Sequence, residues 1–140
     1  MVKYGLILLL VAIMFASCNK DSNVDCENYD YSSCNTIEPD EGELSIIVTK
    51  QTVNSMVPVS LYKGKYGETA TLIYSDTVSE VELKFNVMLN EDYYAIAKYE
   101  SGGKAIYAID GTYFKKVGQT TCDSTCWKIK GAEIDIRLKN

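Results

Sequence analysis

The cysteines are the residues of this sequence with the most evident chemistry. Apart from Cys18, they form an N-terminal pair, Cys26 and Cys34, and a C-terminal pair, Cys122 and Cys126. An even number of cysteines in an exported chain indicates disulfides. Four thiolates can instead hold zinc, but the spacings Cys-x7-Cys and Cys-x3-Cys differ from those of zinc knuckles. We therefore expect two disulfides and no metal site.

The connectivity of these disulfides has three possible forms. Pairing within each close pair closes small loops worth about 2–3 kcal/mol each, whereas pairing across the chain closes loops of nearly a hundred residues, worth about 4.7 kcal/mol. Proximity favours the local pairs, although the sequence does not decide. A local bridge needs Cα atoms less than about 7 Å apart, and an extended strand would hold residues four apart at about 13 Å. With a bridge between Cys122 and Cys126, residues 122–126 would therefore form a turn whose tip is Asp123, Ser124 and Thr125.

Catalytic constellations are absent from the sequence. There is no histidine, which removes the commonest general base and the commonest metal ligand. No Gly-x-Ser-x-Gly elbow occurs, and no glycine-rich phosphate loop precedes a helix. The acids Asp25, Glu27 and Asp30 lack the spacing, glycine and terminal glutamate of a calcium loop. We expect no catalytic residue, no cofactor and no metal, and hence not an enzyme.

The N-terminus predicts export. Lys3 precedes an apolar run over residues 6–15, which has the length of a signal-peptide core and is too short to span a bilayer. The sequence Phe15-Ala16-Ser17-Cys18 resembles the lipobox of bacterial lipoproteins. The resemblance implies cleavage of residues 1–17, a diacylglycerol on the Cys18 thiol and an acyl chain on its new amine. The alternatives are an ordinary secretory signal with an incidental cysteine, or a short anchor helix.

The segment after Cys18 predicts an acidic tether over residues 18–42. Asn19-Lys20-Asp21 resembles the export signal of Bacteroidota surface lipoproteins, which implies an outer-membrane lipoprotein at the cell surface, with the periplasmic face as the alternative. From Cys18 to Glu43 there are eight acidic residues against Lys20 alone, in a chain of net charge −5. We read the segment as a solvated spacer. The sequence has no basic stripe, so we expect no nucleic-acid partner.

The remaining residues, 43–140, alternate between apolar and polar with a period of two. The alternation predicts seven or eight short strands at spacings near ten residues and no helix, the pattern of an all-β antiparallel β-sandwich. Pro58 places its strand at an edge or at its first residue. The expected strands cover residues 44–48, 57–61, 70–75, 80–89, 93–99, 105–109, 127–130 and 134–138, with Gly102-Gly103 as a two-residue hairpin turn, Asp110-Gly111 as a strand end and residues 113–116 leading into the cysteine loop.

The order of these strands resembles the prealbumin-like (transthyretin-like) sandwiches, which include collagen-adhesin B-type modules and are related to Ig-like folds. Two stretches carry the resemblance: Val57-Pro58-Val59-Ser60-Leu61-Tyr62 and Asn90-Glu91-Asp92-Tyr93-Tyr94-Ala95-Ile96. The resemblance implies a spacer or adhesive unit and no catalytic activity.

Tyrosine is the dominant aromatic residue, with eleven tyrosines against three phenylalanines and one tryptophan. High β-propensity and half-buried faces account for many of them. Tyr62, Tyr66 and Tyr113 flank loops and are our candidates for glycan binding, because tyrosine rings stack and donate a hydroxyl. Asp76-Thr77-Val78 and Asp123-Ser124-Thr125 resemble the O-glycosylation acceptor of Bacteroidota, which implies glycans on Thr77 and Ser124.

Two functions from different classes follow. The first is a non-catalytic, membrane-anchored surface lipoprotein, a binding or structural module of the envelope with a protein partner. The second is a carbohydrate-binding accessory lipoprotein for glycan uptake. A third hypothesis, an inhibitor that uses the loop between Cys122 and Cys126 as bait, has no further support in the sequence.

Overall fold

The computed structural model describes residues 25–50 and 56–139, and that part of the chain contains eight strands and no helix. The predicted Cys18, Lys3 and residues 1–17 lie outside it. The strands are β1 (Glu41–Ile47), β2 (Val57–Lys63), β3 (Thr71–Val78), β4 (Glu82–Met88), β5 (Glu91–Ser101), β6 (Lys104–Thr121), β7 (Ser124–Lys130) and β8 (Glu133–Asp135). The all-β prediction is therefore confirmed.

The strands form two sheets. A three-stranded sheet has the order β4-β1-β8, and a five-stranded sheet has the order β3-β2-β5-β6-β7. Every pairing is antiparallel except that of β1 with β8, where Ile46 lies opposite Ile134 in a parallel register. The expectation of an entirely antiparallel sandwich is wrong here, because β8 reaches β1 by a connection that crosses from β7 in the other sheet. A parallel pair always needs such a crossover.

The two sheets share one hydrophobic core. The alternating residues of β1, Leu44 and Ile46, are completely buried, as are Val59 and Leu61 of β2 in the other sheet. The predicted inward faces of both segments are therefore confirmed. Period-two alternation reports the buried face directly, since successive side chains of a strand point to opposite sides. The result is a β-sandwich-like arrangement.

The segment predicted at residues 80–89 is only partly a core strand. β4 covers Glu82–Met88, and its alternating residues Leu83 and Phe85 pack at the margin of the core. Val81, expected to face inward, is 56% exposed. It lies just before β4, where its carbonyl accepts a hydrogen bond from the Val48 amide.

β2 is paired along both edges, and Pro58 lies at its start. Pro58 is opposite Thr77 of β3, while pairing with β5 begins only at Val59. Proline therefore occupies the second position of β2, where the β5 side has no ladder partner to lose. β2 thus begins one residue before the expected start at Pro58, and the expectation of an edge strand is wrong.

The longest strand, β6, contradicts the expected strand end at Asp110-Gly111. It runs for 18 residues and pairs with β5 as far as Phe114 and with β7 from Lys115. Gly111 has no positive φ and lies opposite Tyr94 within the ladder. The continuous pairing of β6 with β5 overrides the turn preference of Asp110-Gly111. By contrast, Gly102 and Gly103 have φ values of 58° and 74° and form the predicted hairpin turn.

The disulfides join the two ends of the described chain. Cys26 is bonded to Cys122 and Cys34 to Cys126, with sequence separations of 96 and 92 residues. The favoured local pairing is therefore wrong. The expected turn over residues 122–126 does not form, because the β6–β7 hairpin is tighter. Cys122 itself occupies the hairpin turn, at a φ of 54°.

The expected turn tip is also displaced. Thr121 pairs with Ser124, so the turn consists of Cys122 and Asp123 alone, while Ser124 and Thr125 belong to β7. Thr77, the other proposed glycosylation residue, lies within β3 and not in a turn.

The described part of the acidic segment is attached to the domain. The Trp127 amide donates a hydrogen bond to the Asn35 carbonyl, so the segment pairs with the outer edge of β7. Further along, the Lys116 ammonium lies 2.9 Å from Glu38 and 3.1 Å from Asp40, and it is 14% exposed. The hydrogen bond that Lys116 donates to Glu38 raises the pKa of Lys116. Residues 25–40 are thus a strap across one edge of the sandwich, and β1 begins at Glu41, two residues before the predicted domain start.

Tyr99 connects the two sheets through its hydroxyl. The side chain belongs to β5 and is 1% exposed. Its hydroxyl donates to the Ile136 carbonyl at 2.8 Å and accepts from the Thr49 amide at 3.0 Å, and both residues follow strands of the smaller sheet. Burial raises the pKa of Tyr99, so the neutral hydroxyl is the stable form.

The disulfide connectivity is directly testable with an endoproteinase that cleaves before aspartate. Cleavage before Asp30 separates the first two cysteines, and cleavage before Asp123 separates the last two. We expect mass spectrometry of the unreduced digest to find peptide 25–29 linked to 110–122, and peptide 30–39 linked to 123–134. Linkage of 25–29 to 30–39 would show that the local pairing is correct after all.

Removal of the Tyr99 hydroxyl tests its role between the sheets. We expect Tyr99→Phe to lower the free energy of unfolding by about 1–3 kcal/mol, because the part-buried Thr49 amide and the buried Ile136 carbonyl lose their partner. The matched control is Tyr107→Phe, whose side chain is 60% exposed; its effect should stay within about 0.5 kcal/mol. Chemical denaturation monitored by Trp127 fluorescence measures both. Equal effects of the two substitutions would contradict the role of Tyr99.

Candidate functional site

The five-stranded sheet has a second face, directed away from the core, which we call the open face. Its positions follow from the strand registers, because residues directly opposite in antiparallel strands share a face. Tyr93, Ala95, Ala97 and Tyr99 of β5 belong to the core. The alternate residues of β5 and their partners therefore form the open face: Ser60 and Tyr62 of β2, Tyr94 and Ile96 of β5, and Ile109, Gly111 and Tyr113 of β6.

Three of these residues form a row across the sheet: Tyr62, Tyr94 and Gly111. The rings of Tyr62 and Tyr94 are stacked, with centroids 4.8 Å apart and planes at 7°. Gly111 leaves the position on the other side of Tyr94 without a side chain. A Cβ atom there would lie 2.9 Å from the Tyr93 carbonyl oxygen and 3.1 Å from the Tyr94 Cβ. A glycine inside a strand costs stability and often marks the close approach of a ligand or another backbone.

A cleft of about 450 Å³ opens above Tyr94 and Gly111. Tyr66 stands at one side, 62% exposed, with its ring edge-on to Tyr94 at 5.5 Å between centroids. Tyr113, 48% exposed, and Ile109 line the other side. This tyrosine cleft, defined by Tyr66, Tyr94, Gly111, Tyr113 and Ile109, has a volume within the range of small-ligand sites.

The rim of the tyrosine cleft carries opposite charges. The Lys65 ammonium lies 4.0 Å from the Asp92 carboxylate, and on the core-facing side of β2 and β5, outside the cleft, Lys63 pairs with Glu91 at 2.8 Å. The hydrogen bond from Lys63 to Glu91 raises the pKa of Lys63. Burial, and then the neighbouring Tyr62 and Tyr66, raise the pKa of Tyr94, which keeps its hydroxyl protonated near neutral pH.

The cleft offers noncovalent recognition. Tyrosine rings supply flat apolar surfaces for stacking, and their hydroxyls supply donors and acceptors at the margin. The Lys65–Asp92 pair adds one cationic and one anionic contact at the rim. Such a site fits a flat ligand that has both C–H surface and polar groups.

The structure brings two of the three predicted glycan-binding tyrosines into this cleft. Tyr66 and Tyr113 line it, whereas Tyr62 supports Tyr94 from the far side and does not line it. Sequence reasoning missed Tyr94, because the segment 93–99 is apolar on both faces and its parity was not assignable. It also missed Gly111, where it predicts the end of a strand; the available signal was a glycine between two apolar stretches.

The other predicted site residues lie elsewhere. Thr77 is exposed on β3 and Ser124 is half-buried on β7, so they occupy opposite edges of the five-stranded sheet. The described ranges, 25–50 and 56–139, contain no cluster of three histidine, cysteine or carboxylate residues arranged to hold a metal ion. No helix long and apolar enough to cross a membrane is found in these same ranges.

Comparisons of this chain with protein-family models, with curated proteins and with solved structures found no significant match. What the chain does must therefore be inferred from its own residues and their geometry.

Proposed function

We propose that this chain is a non-catalytic lipoprotein of the bacterial outer membrane, attached through lipid on Cys18, that presents its sandwich at the cell surface as a binding module of the envelope. The observation that carries the binding role is the tyrosine cleft. Aromatic rings, two of them well exposed, converge there on a sheet face that is not part of the core.

The anchor is supported by the order of residues at the N-terminus. An apolar run over residues 6–15 is followed by Ala16 and Ser17 and then by Cys18. A thioether-linked diacylglycerol and an N-acyl chain would hold the protein on the membrane, since each buried methylene contributes about 0.8 kcal/mol and a single chain alone binds only marginally. Lys20 and Asp21 support display at the cell surface.

We further propose a prealbumin-like topology for the sandwich. Its support is that the two stretches that resemble this family, residues 57–62 and 90–96, occupy β2 and the start of β5, which are neighbours in the five-stranded sheet. In that family such modules serve as spacers and adhesive units, which agrees with a binding role.

The absence of catalysis in this proposal follows from side-chain chemistry. The chain has no histidine, and of the two carboxylates that line the tyrosine cleft, Asp92 lies 4.0 Å from the Lys65 ammonium and Asp110 accepts a hydrogen bond from the Asp135 amide. A general base needs to be free to accept a proton from the reacting group. We therefore assign the cleft to binding.

The anchor is tested by Cys18→Ser. Because the serine hydroxyl cannot accept the diacylglycerol thioether, we expect the variant to leave the membrane fraction and to partition into the aqueous phase after detergent phase separation. The control is Ser17→Ala, which keeps a small residue before the cysteine and should remain in the detergent phase. Retention of Cys18→Ser in the membrane fraction would exclude lipid on this residue as the anchor.

A second candidate function is favoured by the same cleft: a carbohydrate-binding accessory protein for glycan uptake. Sugar rings present flat C–H surfaces edged by hydroxyls, and Tyr66, Tyr94 and Tyr113 offer rings edged by hydroxyls in turn. In the first function the cleft would take part of an envelope protein instead.

Substitution of Tyr66 distinguishes the two candidates. For a glycan identified by array screening, we expect Tyr66→Ala to weaken binding about tenfold, which corresponds to the loss of about 1.4 kcal/mol of stacking energy. Tyr107→Ala is the matched control, since Tyr107 is equally exposed and lies on the open face outside the cleft. Titration calorimetry measures both. A protein that co-purifies from the envelope, together with no glycan binding, would support the first function and exclude the second.

A further inference from the structure

Next to the tyrosine cleft, the open face carries a cluster of lysines on β6 and β7. Lys115 lies directly opposite Lys130, and Lys128 is two residues from Lys130, so the three share a face. All three are exposed. We refer to Lys115, Lys128 and Lys130 as the lysine patch.

The lysine patch is not neutralised by neighbouring acids. Within the part of the chain that the structure describes, none of its three members forms an ion pair, whereas Lys63, Lys84 and Lys116 each have a carboxylate at 2.7–2.9 Å. Like charges directly opposite each other in a sheet are destabilising. The arrangement is notable in a chain of net charge −5, where acidic partners are abundant.

The patch begins where the tyrosine cleft ends. The Lys115 ammonium lies 5.7 Å from the centroid of the Tyr113 ring, and Tyr113 lines the cleft. Both residues belong to β6 and point to the open face, two positions apart, a distance of about 7 Å along a strand. A ligand longer than one ring that lies in the cleft would therefore pass over the lysines.

From this continuity we propose that the ligand is an acidic polysaccharide, whose sugar rings stack in the tyrosine cleft while its sulfate or carboxylate groups lie over the lysine patch. The inference rests on the carbohydrate-binding function proposed above and adds the charge of the ligand. Exposed lysines act as point charges without fixed geometry. They suit a chain with repeated negative groups better than one small anion, which would need a buried and directional site.

The charge complementarity has a measurable signature. Attraction between exposed charges is screened by salt, so the affinity depends on ionic strength. For three lysine contacts to a polyanion, we expect binding to weaken at least roughly tenfold between about 50 and about 200 mM salt, by analogy with the release of counterions from nucleic acids. Stacking in the cleft alone would not respond in this way.

The experiment uses the full lipidated chain in detergent, with heparin and hyaluronan as acidic probes and dextran as the neutral probe. One variant combines Lys115→Gln, Lys128→Gln and Lys130→Gln. The control variant removes the same charge through Lys50→Gln, Lys98→Gln and Lys104→Gln, three exposed lysines outside the patch. Circular dichroism confirms that both variants are folded, and calorimetry measures binding.

We expect tighter binding of the acidic probes than of dextran, a loss of roughly tenfold or more in the patch variant, and little change in the control variant. Equal losses in both variants would reduce the effect to net charge and overturn the proposal. Tight, salt-independent binding of dextran would overturn the acidic specificity and leave the carbohydrate function standing. No binding of any polysaccharide would overturn both. Binding of phosphatidylglycerol vesicles in place of heparin, lost in the patch variant, would make the patch a membrane contact and also overturn the proposal.

Discussion

β5 is paired along both edges, to β2 and to β6, and its two faces have different neighbours. Tyr93, Ala95, Ala97 and Tyr99 point into the core, while Tyr94 and Ile96 point to the open face. A slip of one residue in its register would exchange the two sets, since side chains alternate along a strand. The buried Tyr99 hydroxyl opposes such a slip, because its bonds to Thr49 and Ile136 exist in one register only. The core and the tyrosine cleft thus depend on the same pairing.

The strap over residues 25–40 completes the sandwich from outside. Its two disulfides close loops of more than ninety residues, which in the chain-entropy estimate reduces the freedom of the unfolded chain by about 4–5 kcal/mol for the first bridge and by less for the second, because the loops overlap. The strap also covers the outer edge of β7 at Asn35. An edge with unpaired amides would otherwise be a template for pairing with other chains.

The strap has a consequence for a lipid-anchored protein. Cys26 lies eight positions after Cys18, and a chain of that length spans at most about 29 Å. With lipid on Cys18, the β6–β7 turn would be held within this distance of the membrane surface. β6 connects this turn, through Lys115 of the lysine patch, to the tyrosine cleft.

Local physics explains which parts were predictable from the sequence. The alternation of Leu44 and Ile46 with polar residues identified buried faces, and Gly102-Gly103 identified a turn whose positive φ values glycine adopts freely. Tyr66 is a candidate because it stands beside a loop, whereas the loop expected beside Tyr113 is replaced by the continuous strand β6. In each case the information lies within a few residues of the chain, and steric and solvation preferences act at that range.

Neighbours distant in sequence decided the rest. The cysteine partners follow from the position of the strap against the β6–β7 hairpin. The sequence does not show that these two segments lie close together in space. Asp110-Gly111 continues a strand because β5 pairs with it. Tyr94 faces the cleft because the residues on either side of it along β5 are buried in the core. The sequence by itself determined the all-β class, the buried faces of β1 and β2 and the glycine turn, because these depend on local periodicity. Only the tertiary structure decided the disulfide connectivity, the parallel β1–β8 pair and the assembly of the cleft beside the lysine patch, because each depends on which strands become neighbours.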